Sequence, residues 1–248
     1  MGPGTLRPKF LGGLLLLLTV GAMVSVFGRS YWVPLYYRLM GSRNIADVIA
    51  ELEPRAGAVW RDHCAQQGVA FPPKSVTLVC IKEDKMIEVW ADGAPAHKLA
   101  TLALTAYSGK PGPKLREGDL QIPEGIYPLT VLNPNSSFHL SIRVGYPNAF
   151  DKSWAREEGR TNLGGDIYIH GKSASVGCMA IGDAAIEELF YLAHAVGLAN
   201  TRIMVIPNDF RKTGVPDAQS MPAKVHELYG TIEAELNAYR ETVVKEGT

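Results

Sequence analysis

The stretch IYIHGKSASVGCMAIGD, Ile167 to Asp183, decides how the rest of the chain is read. From Asp166 to Ile169 polar and apolar residues alternate, with two isoleucines and a tyrosine, which predicts a short strand ending at His170. Gly171 to Gly177 is rich in Gly and Ser, so the chain is expected to turn back and bring Cys178 near the imidazole, in the spacing H-G-x5-G-C. A nucleophilic cysteine needs a base, a partner that holds the base, and backbone N–H groups aimed at the oxyanion formed on attack. The stretch offers all of these: Cys178 as nucleophile, His170 as base, and the amides of Gly177 and Cys178 as oxyanion donors. A helix is expected from about Ala184, capped by Asp183, and it lowers the thiol pKa only if its N-terminus faces the sulfur. Two other readings compete. A lone Cys serves as a buried small hydrophobe and a lone His as a structural residue. A metal site would need a second Cys or His at ligand spacing, which is absent here, so neither metal nor cofactor is expected. Ser173 and Ser175 read as turn formers or cap donors, with substrate contact by Ser175 as the alternative.

Working outward, period-two patterns place strands at about 75–81, 86–91 and 98–106, the first two joined by the polar turn Glu83-Asp84. Further strands are expected near 126–131, 139–144 and 202–207. Between them, Gly109 to Glu124 is a Gly- and Pro-containing loop with scattered charge, of a length that is more often functional than idle. His139 is expected to pack or bond on the sheet. Downstream, Ile186, Leu189, Phe190, Ala193 and Val196 share one face of a helix that stops at Gly197. Val225, Leu228, Tyr229, Ile232, Leu236, Tyr239 and Val243 mark a C-terminal amphipathic helix expected to dock on the domain. Upstream, Ile45, Val48, Ile49 and Leu52 repeat at helical spacing until Pro54, and a second piece over about 55–67 is expected, giving a broken helical pair.

Twenty-five basic residues balance twenty-five acidic ones, which leaves no electrostatic case for a nucleic-acid partner. Phe10 to Gly28 is an uncharged run between Lys9 and Arg29. As a helix it would span about 28 Å at roughly 1.5 Å per residue, close to a hydrocarbon core of about 30 Å. Export or anchoring is therefore expected, as a retained anchor or, alternatively, a cleaved signal. The aromatic segment Ser30 to Met40 suits a membrane interface or packing on the domain equally. Of three cysteines, Cys64 and Cys80 are candidates for pairing in an oxidising compartment, which would leave Cys178 free.

The central stretch resembles the active-site signature of the L,D-transpeptidase (YkuD-like) family, a His-Gly followed by Ser-x-Gly-Cys, and is most similar to its YafK-type branch. The likeness continues through SGKPGPKLREGDLQIPEGIYPL (Ser108 to Leu129), LNPNSSFHLSIRVGYPNAFD (Leu132 to Asp151) and GGDIYIHG (Gly164 to Gly171). The commoner pattern has a second His before the Gly-Cys and an Arg two residues after the Cys; here Val176 and Ala180 stand there, as in the YafK-type branch. The resemblance implies a mainly β domain with flanking helices, sandwich- or barrel-like, preceded by a single transmembrane helix. The expected layout is an anchor over 1–29, a helical linker over 30–73, the catalytic domain over 74–210 and the docked C-terminal helix over 211–248. It further implies that Cys178 forms a thioester with a peptidoglycan stem peptide, that the Gly171 carbonyl orients His170, and that Tyr146 and Asn148 border the substrate. The acyl acceptor is left open between an amine and water, the second releasing cross-links or a wall-attached protein. The location implied is the periplasmic side of an inner membrane, anchored by the N-terminal helix, with a secreted periplasmic form as the alternative. A membrane-tethered wall-binding module with an inert thiol is the competing class.

Overall fold

The computed structural model describes residues 19–21, 23–24, 28–173, 175, 177–216 and 221–240. In chain order these form α1 (Arg29–Met40), α2 (Ile45–Leu52), a π-helical turn (Glu53–Gly57) and α3 (Ala58–Gln66). The strands β1 (Val76–Ile81), β2 (Met86–Ala91), β3 (His97–Ala103), β4 (Gly125–Ser136) and β5 (His139–Val144) follow. Then come α4 (Ala149–Glu157), β6 (Tyr168–His170), β7 (Met179–Ala180), α5 (Asp183–Val196), β8 (Thr201–Ile206), α6 (Phe210–Thr213) and α7 (Ala223–Leu236).

One eight-stranded mixed sheet runs β3-β2-β1-β8-β4-β5-β6-β7. The pairs β1/β8 and β6/β7 are parallel and the others antiparallel. β4 turns the corner: Gly125 to Pro128 pair with β8, whereas the rest, after register shifts, pairs with β5. Beyond β3 the chain reaches the far edge of the sheet, where Thr105 N donates to Ala180 O at 2.8 Å and Ala180 N to Ala106 O at 3.1 Å. The edge strands thus meet and the sheet curls on itself. The curl matches the barrel-like form of the expectation, with β4 bent so that its two halves join the two parts of the sheet.

Both faces of the central strands are covered, which explains why all six residues of β1 are buried and all but Thr77 are apolar. Leu78 and Cys80 face a core shared with α2, α3 and α5, and Val79 and Ile81 face a second core closed by Val225, Leu228, Tyr229, Ile232 and Leu236 of α7. Val243 lies outside the described residues.

The helical region at 45–66 departs from expectation in two ways. Pro54 does not break it, because a π-helical turn carries the proline and α3 continues directly. Nor is it a linker: Val48, Leu52, Ala56, Trp60 and Cys64 are buried in the domain core. These five recur every four residues, a series that an ideal α-helix of about 3.6 residues per turn would rotate away from the core. The wider turn in the middle offsets part of that rotation. Trp60 Nε1 donates to Glu188 O at 2.8 Å and Arg55 pairs with Glu188 at 3.0 Å, tying the region to α5. Cys64 and Cys80 are both buried and both free thiols, so the expected pairing is not made.

Of the run Phe10 to Gly28, residues 19–21, 23–24 and 28 are among the described residues. Among the described residues no helix is long and apolar enough to cross a membrane.

Gly109 to Glu124 is held from inside. Lys82 and Glu124, 1 % and 0 % exposed, pair at 2.8 Å. The Lys82 ammonium also donates to Gly112 O and Ile122 O, at 3.1 and 3.3 Å. Glu124 accepts in turn from Gly112 N at 2.8 Å and from Tyr229 Oη at 2.6 Å. This clasp fixes both ends of the loop to the sheet and to α7.

Candidate active site

β6 and β7 lie parallel with Ile169 opposite Met179 and His170 opposite Ala180. Ile169 and Met179 point into the core. Strand alternation therefore sends Tyr168 and His170, with Cys178 just before β7 and Ala180, to the other face. Extending the register puts Cys178 opposite Tyr168 and one pleat from His170 on that face.

The imidazole is fixed from two sides, and the backbone of the same residue is held as well. Its Nδ1 lies 2.6 Å from Gly171 O. A carbonyl only accepts, so Nδ1 carries the hydrogen and Nε2 keeps the lone pair. The Phe138 ring packs 4.7 Å from the imidazole, centre to centre. Ile181 N donates to His170 O at 2.9 Å. Residue 171 has to be glycine, since a Cβ there would lie 2.6 Å from Asp183 Oδ1 and 2.8 Å from Phe138 O.

Cys178 is half-buried. Its Sγ lies 3.5 Å from Asp166 O, to which the thiol donates, and the Tyr168 backbone N–H points to the sulfur. Asp166 has a left-handed backbone with φ 54°, which aims this carbonyl. Burial pushes the thiol pKa up, with the Asp166 carboxylate adding to it and the Tyr168 amide and Lys114 opposing. Burial likewise pulls His170 down, against the Gly171 carbonyl. Both shifts favour neutral thiol and neutral imidazole over an ion pair.

Three loop contacts shape the approach to the sulfur. Gly177, at φ 79°, donates its N–H to Ser108 Oγ at 2.5 Å, and Ser108 Oγ donates to Leu120 O at 2.8 Å. The Ser175 hydroxyl donates to Cys178 O. A cleft of about 190 Å³ opens beside Gly177, lined by Lys114, Glu117, Leu120, Asp166 and Ile167. Lys114 is anchored to Asp119 at 2.7 Å and to Arg116 O at 2.8 Å.

Several expected roles change in this geometry. Tyr146 is 4 % exposed, and its phenol donates to Leu163 O at 3.1 Å and Lys114 O at 3.3 Å, so it supports the loop from below. Asn148 is the N-cap of α4. Its Oδ1 accepts from Asp151 N at 3.0 Å and its Nδ2 donates to Ile126 O at 3.1 Å, so the amide caps the helix and ties it to β4. Ser175 acts within its own turn, its hydroxyl spent on the Cys178 carbonyl. The Gly177 amide is occupied by Ser108. Gly182, not Asp183, occupies the N-cap of α5, and Asp183 turns back to Lys172 N at 2.9 Å. That helix end consequently meets Gly171 and Lys172, and the sulfur has Asp166 and Tyr168 as neighbours. His139 Nε2 meets Glu187 Oε1 at 2.6 Å, tying the β4–β5 hairpin to α5. Ser108 and Phe138, which contact the Gly177 amide and the imidazole, carry no local sequence signal for either role: both come from other parts of the chain.

A thiol and an imidazole with a free Nε2, on one face of a curled sheet and beside a polar cleft, are the components of a cysteine-nucleophile site. The model of the YkuD family, the L,D-transpeptidase catalytic domain, matches residues 75–205, more than half of the chain, and the chain belongs to that family. It is 31% identical over 142 residues to YafK of Escherichia coli strain K12, itself named as an L,D-transpeptidase only provisionally, and to the same protein of strain O157:H7. The match covers 56% of this chain and 55% of the relative, so the chain spans about half the length of the curated relatives it matches. Among solved structures, the helical cell shape determining protein Pgp2 of Campylobacter jejuni matches with TM-score 0.45 and 26% identity, over 54% of this chain and 48% of that one. Mycobacterium tuberculosis L,D-transpeptidase 1 matches with TM-score 0.32 and 16% identity, over 53% and 62%.

Proposed function

We propose that this protein is a peptidoglycan-modifying acyltransferase that works through a thioester on Cys178, with stem peptides as acyl donors. The observation that carries the reading is the free Nε2 of His170 on the same sheet face as the thiol, in a chain of the L,D-transpeptidase family.

In the proposed cycle the thiol leaves Asp166 O by rotating about its side-chain bond and meets Nε2. As Sγ attacks the donor carbonyl, the thiol proton passes to Nε2 and a C–S bond forms. The neutral resting pair suits this order, because the proton moves during attack. The Gly177 N–H exchanges Ser108 Oγ for the developing oxyanion, joined by the Cys178 amide. Collapse breaks the C–N bond, and Nε2–H gives its proton to the departing amine. An incoming amine then attacks the thioester, loses a proton to Nε2, and the sulfur leaves as a thiol by taking that proton back. Water in place of the amine makes the same centre an amidase, acting on cross-links or on a wall-attached protein. The Phe10–Gly28 run supports a retained anchor in the inner membrane that holds the domain in the periplasm.

The test is incubation of the full chain with muropeptides and with protein-linked wall fragments, followed by mass spectrometry. New cross-links establish transfer and released fragments establish hydrolysis. Binding without any product would overturn the enzyme reading in favour of a wall-binding module.

A further inference from the structure

The helix α1 has two faces. Val33 is buried against the domain. Arg29 Nε donates to Ser137 O at 2.7 Å, and just past the helix Arg43 N donates to Asn135 Oδ1 at 2.8 Å, with Asn135 Nδ2 returning to Arg43 O at 2.8 Å. The helix is therefore fixed to the β4–β5 hairpin. On the other side Tyr31, Trp32, Leu35, Tyr36 and Leu39 are exposed by 85, 37, 55, 50 and 75 %. Their spacing of i, i+1, i+4, i+5 and i+8 gathers them within an arc of about 140° at roughly 100° per residue, turned away from Val33.

We infer that this stripe seats α1 flat in the headgroup interface of a lipid bilayer, and that the hairpin beneath it sets the distance of the active site from the membrane. The inference rests on the anchor reading above. Three observations select lipid as the occupant. The uncharged run Phe10–Gly28 ends at the residue before α1, so a chain leaving a bilayer there lays this helix on its surface. The exposed face mixes Tyr and Trp with Leu, the composition that partitions to the boundary between headgroups and acyl chains. Arg29 and Arg38, near the two ends of the helix, supply cations at phosphate level. The hairpin that holds α1 also presents Phe138 to the His170 ring, so the seated helix and the base are joined through one turn.

Trp32 supplies a native probe. Of the four tryptophans, Trp60, Trp90 and Trp154 are buried, and only Trp32 can meet lipid. The full chain is reconstituted into phosphatidylcholine and phosphatidylglycerol vesicles, with and without phosphatidylcholine brominated high on the acyl chain. Flotation and tryptophan fluorescence are read together. The expected result is co-flotation with a quenchable component that is lost in Trp32→Phe. That component should also be lost in Leu35→Glu/Leu39→Glu, which still floats. Co-flotation with unquenched Trp32 overturns this inference alone, and a concentration-dependent dimer in that case assigns the stripe to a second copy of the chain. A chain that does not float overturns both this inference and the anchor.

Discussion

Two buried polar regions of this molecule differ in how completely their atoms are used. In the Lys82–Glu124–Tyr229 clasp, the ammonium has three acceptors and each carboxylate oxygen has at least one donor. At the Cys178–His170 site, one ring nitrogen is committed to Gly171 O at 2.6 Å, and the thiol is held by a long sulfur contact of 3.5 Å and by the Tyr168 amide. Sulfur is a weak donor and exchanges partners readily, whereas a buried ion pair stripped of one member leaves an uncompensated charge. A network with its charges fully partnered makes the frame, whereas the second region keeps one ring nitrogen unspent and its sulfur weakly held.

The largest effect that would sharpen this contrast is on turnover. Cys178→Ala should lower stem-peptide transfer by about 10³-fold or more while leaving the melting temperature near that of the parent. Muropeptide mass spectrometry together with a thermal melt checks it, and retained transfer breaks the contrast at its reactive end. Next in size, Glu124→Gln should cost about 3–5 kcal/mol of stability, because Lys82 is left buried beside a neutral amide. Urea unfolding followed by circular dichroism measures this, and a loss below 1 kcal/mol, the usual range for exposed pairs, would show that the clasp carries little of the frame.

A smaller and more diagnostic effect is the pH profile. Burial holds the Cys178 thiol above its ordinary value of 9.0 and His170 below 6.5. Thiolate therefore accumulates only above pH 9, so the rate of iodoacetamide alkylation of Cys178 should keep rising through that value. Turnover, which in the proposed cycle needs neutral His170, should fall off only below pH 6.5. An alkylation plateau at neutral pH would mean a resting ion pair and would contradict the assignment of two neutral groups. Smallest of all, Ser108→Ala should lower kcat about 3- to 10-fold with little change in KM, as expected for a residue that acts through the aim of the Gly177 amide. Steady-state kinetics resolves that split, and a change confined to KM would make Ser108 a substrate contact instead.

The strands and helices that frame the site were legible because each is a local pattern. β2 and β5 fall at 86–91 and 139–144, where alternation and turn residues put them, and α5 ends before Gly197. Less legible was anything that depends on a neighbour remote in the chain. The buried series from Val48 to Cys64 reads as two helices split by Pro54 until the core it faces is known. Tyr146 and Asn148 have the chemistry of substrate contacts, and the partners they hold, Leu163 O and Ile126 O, are supplied by other parts of the chain. The sheet's closure through Ala106 and Ala180 leaves no periodic trace.

What the sequence determined by itself is the inventory: the elements, from periodicities of two and about 3.6 residues, and a thiol and an imidazole on one Gly-rich stretch. The tertiary structure decided which atoms of that inventory remain free. Ser108 meets Gly177 across 69 positions and Lys82 meets Glu124 across 42, so the sheet must curl before any of these valences is filled. A hydrogen bond needs its partner within about 3 Å, whatever the separation in sequence, and only folding sets that distance.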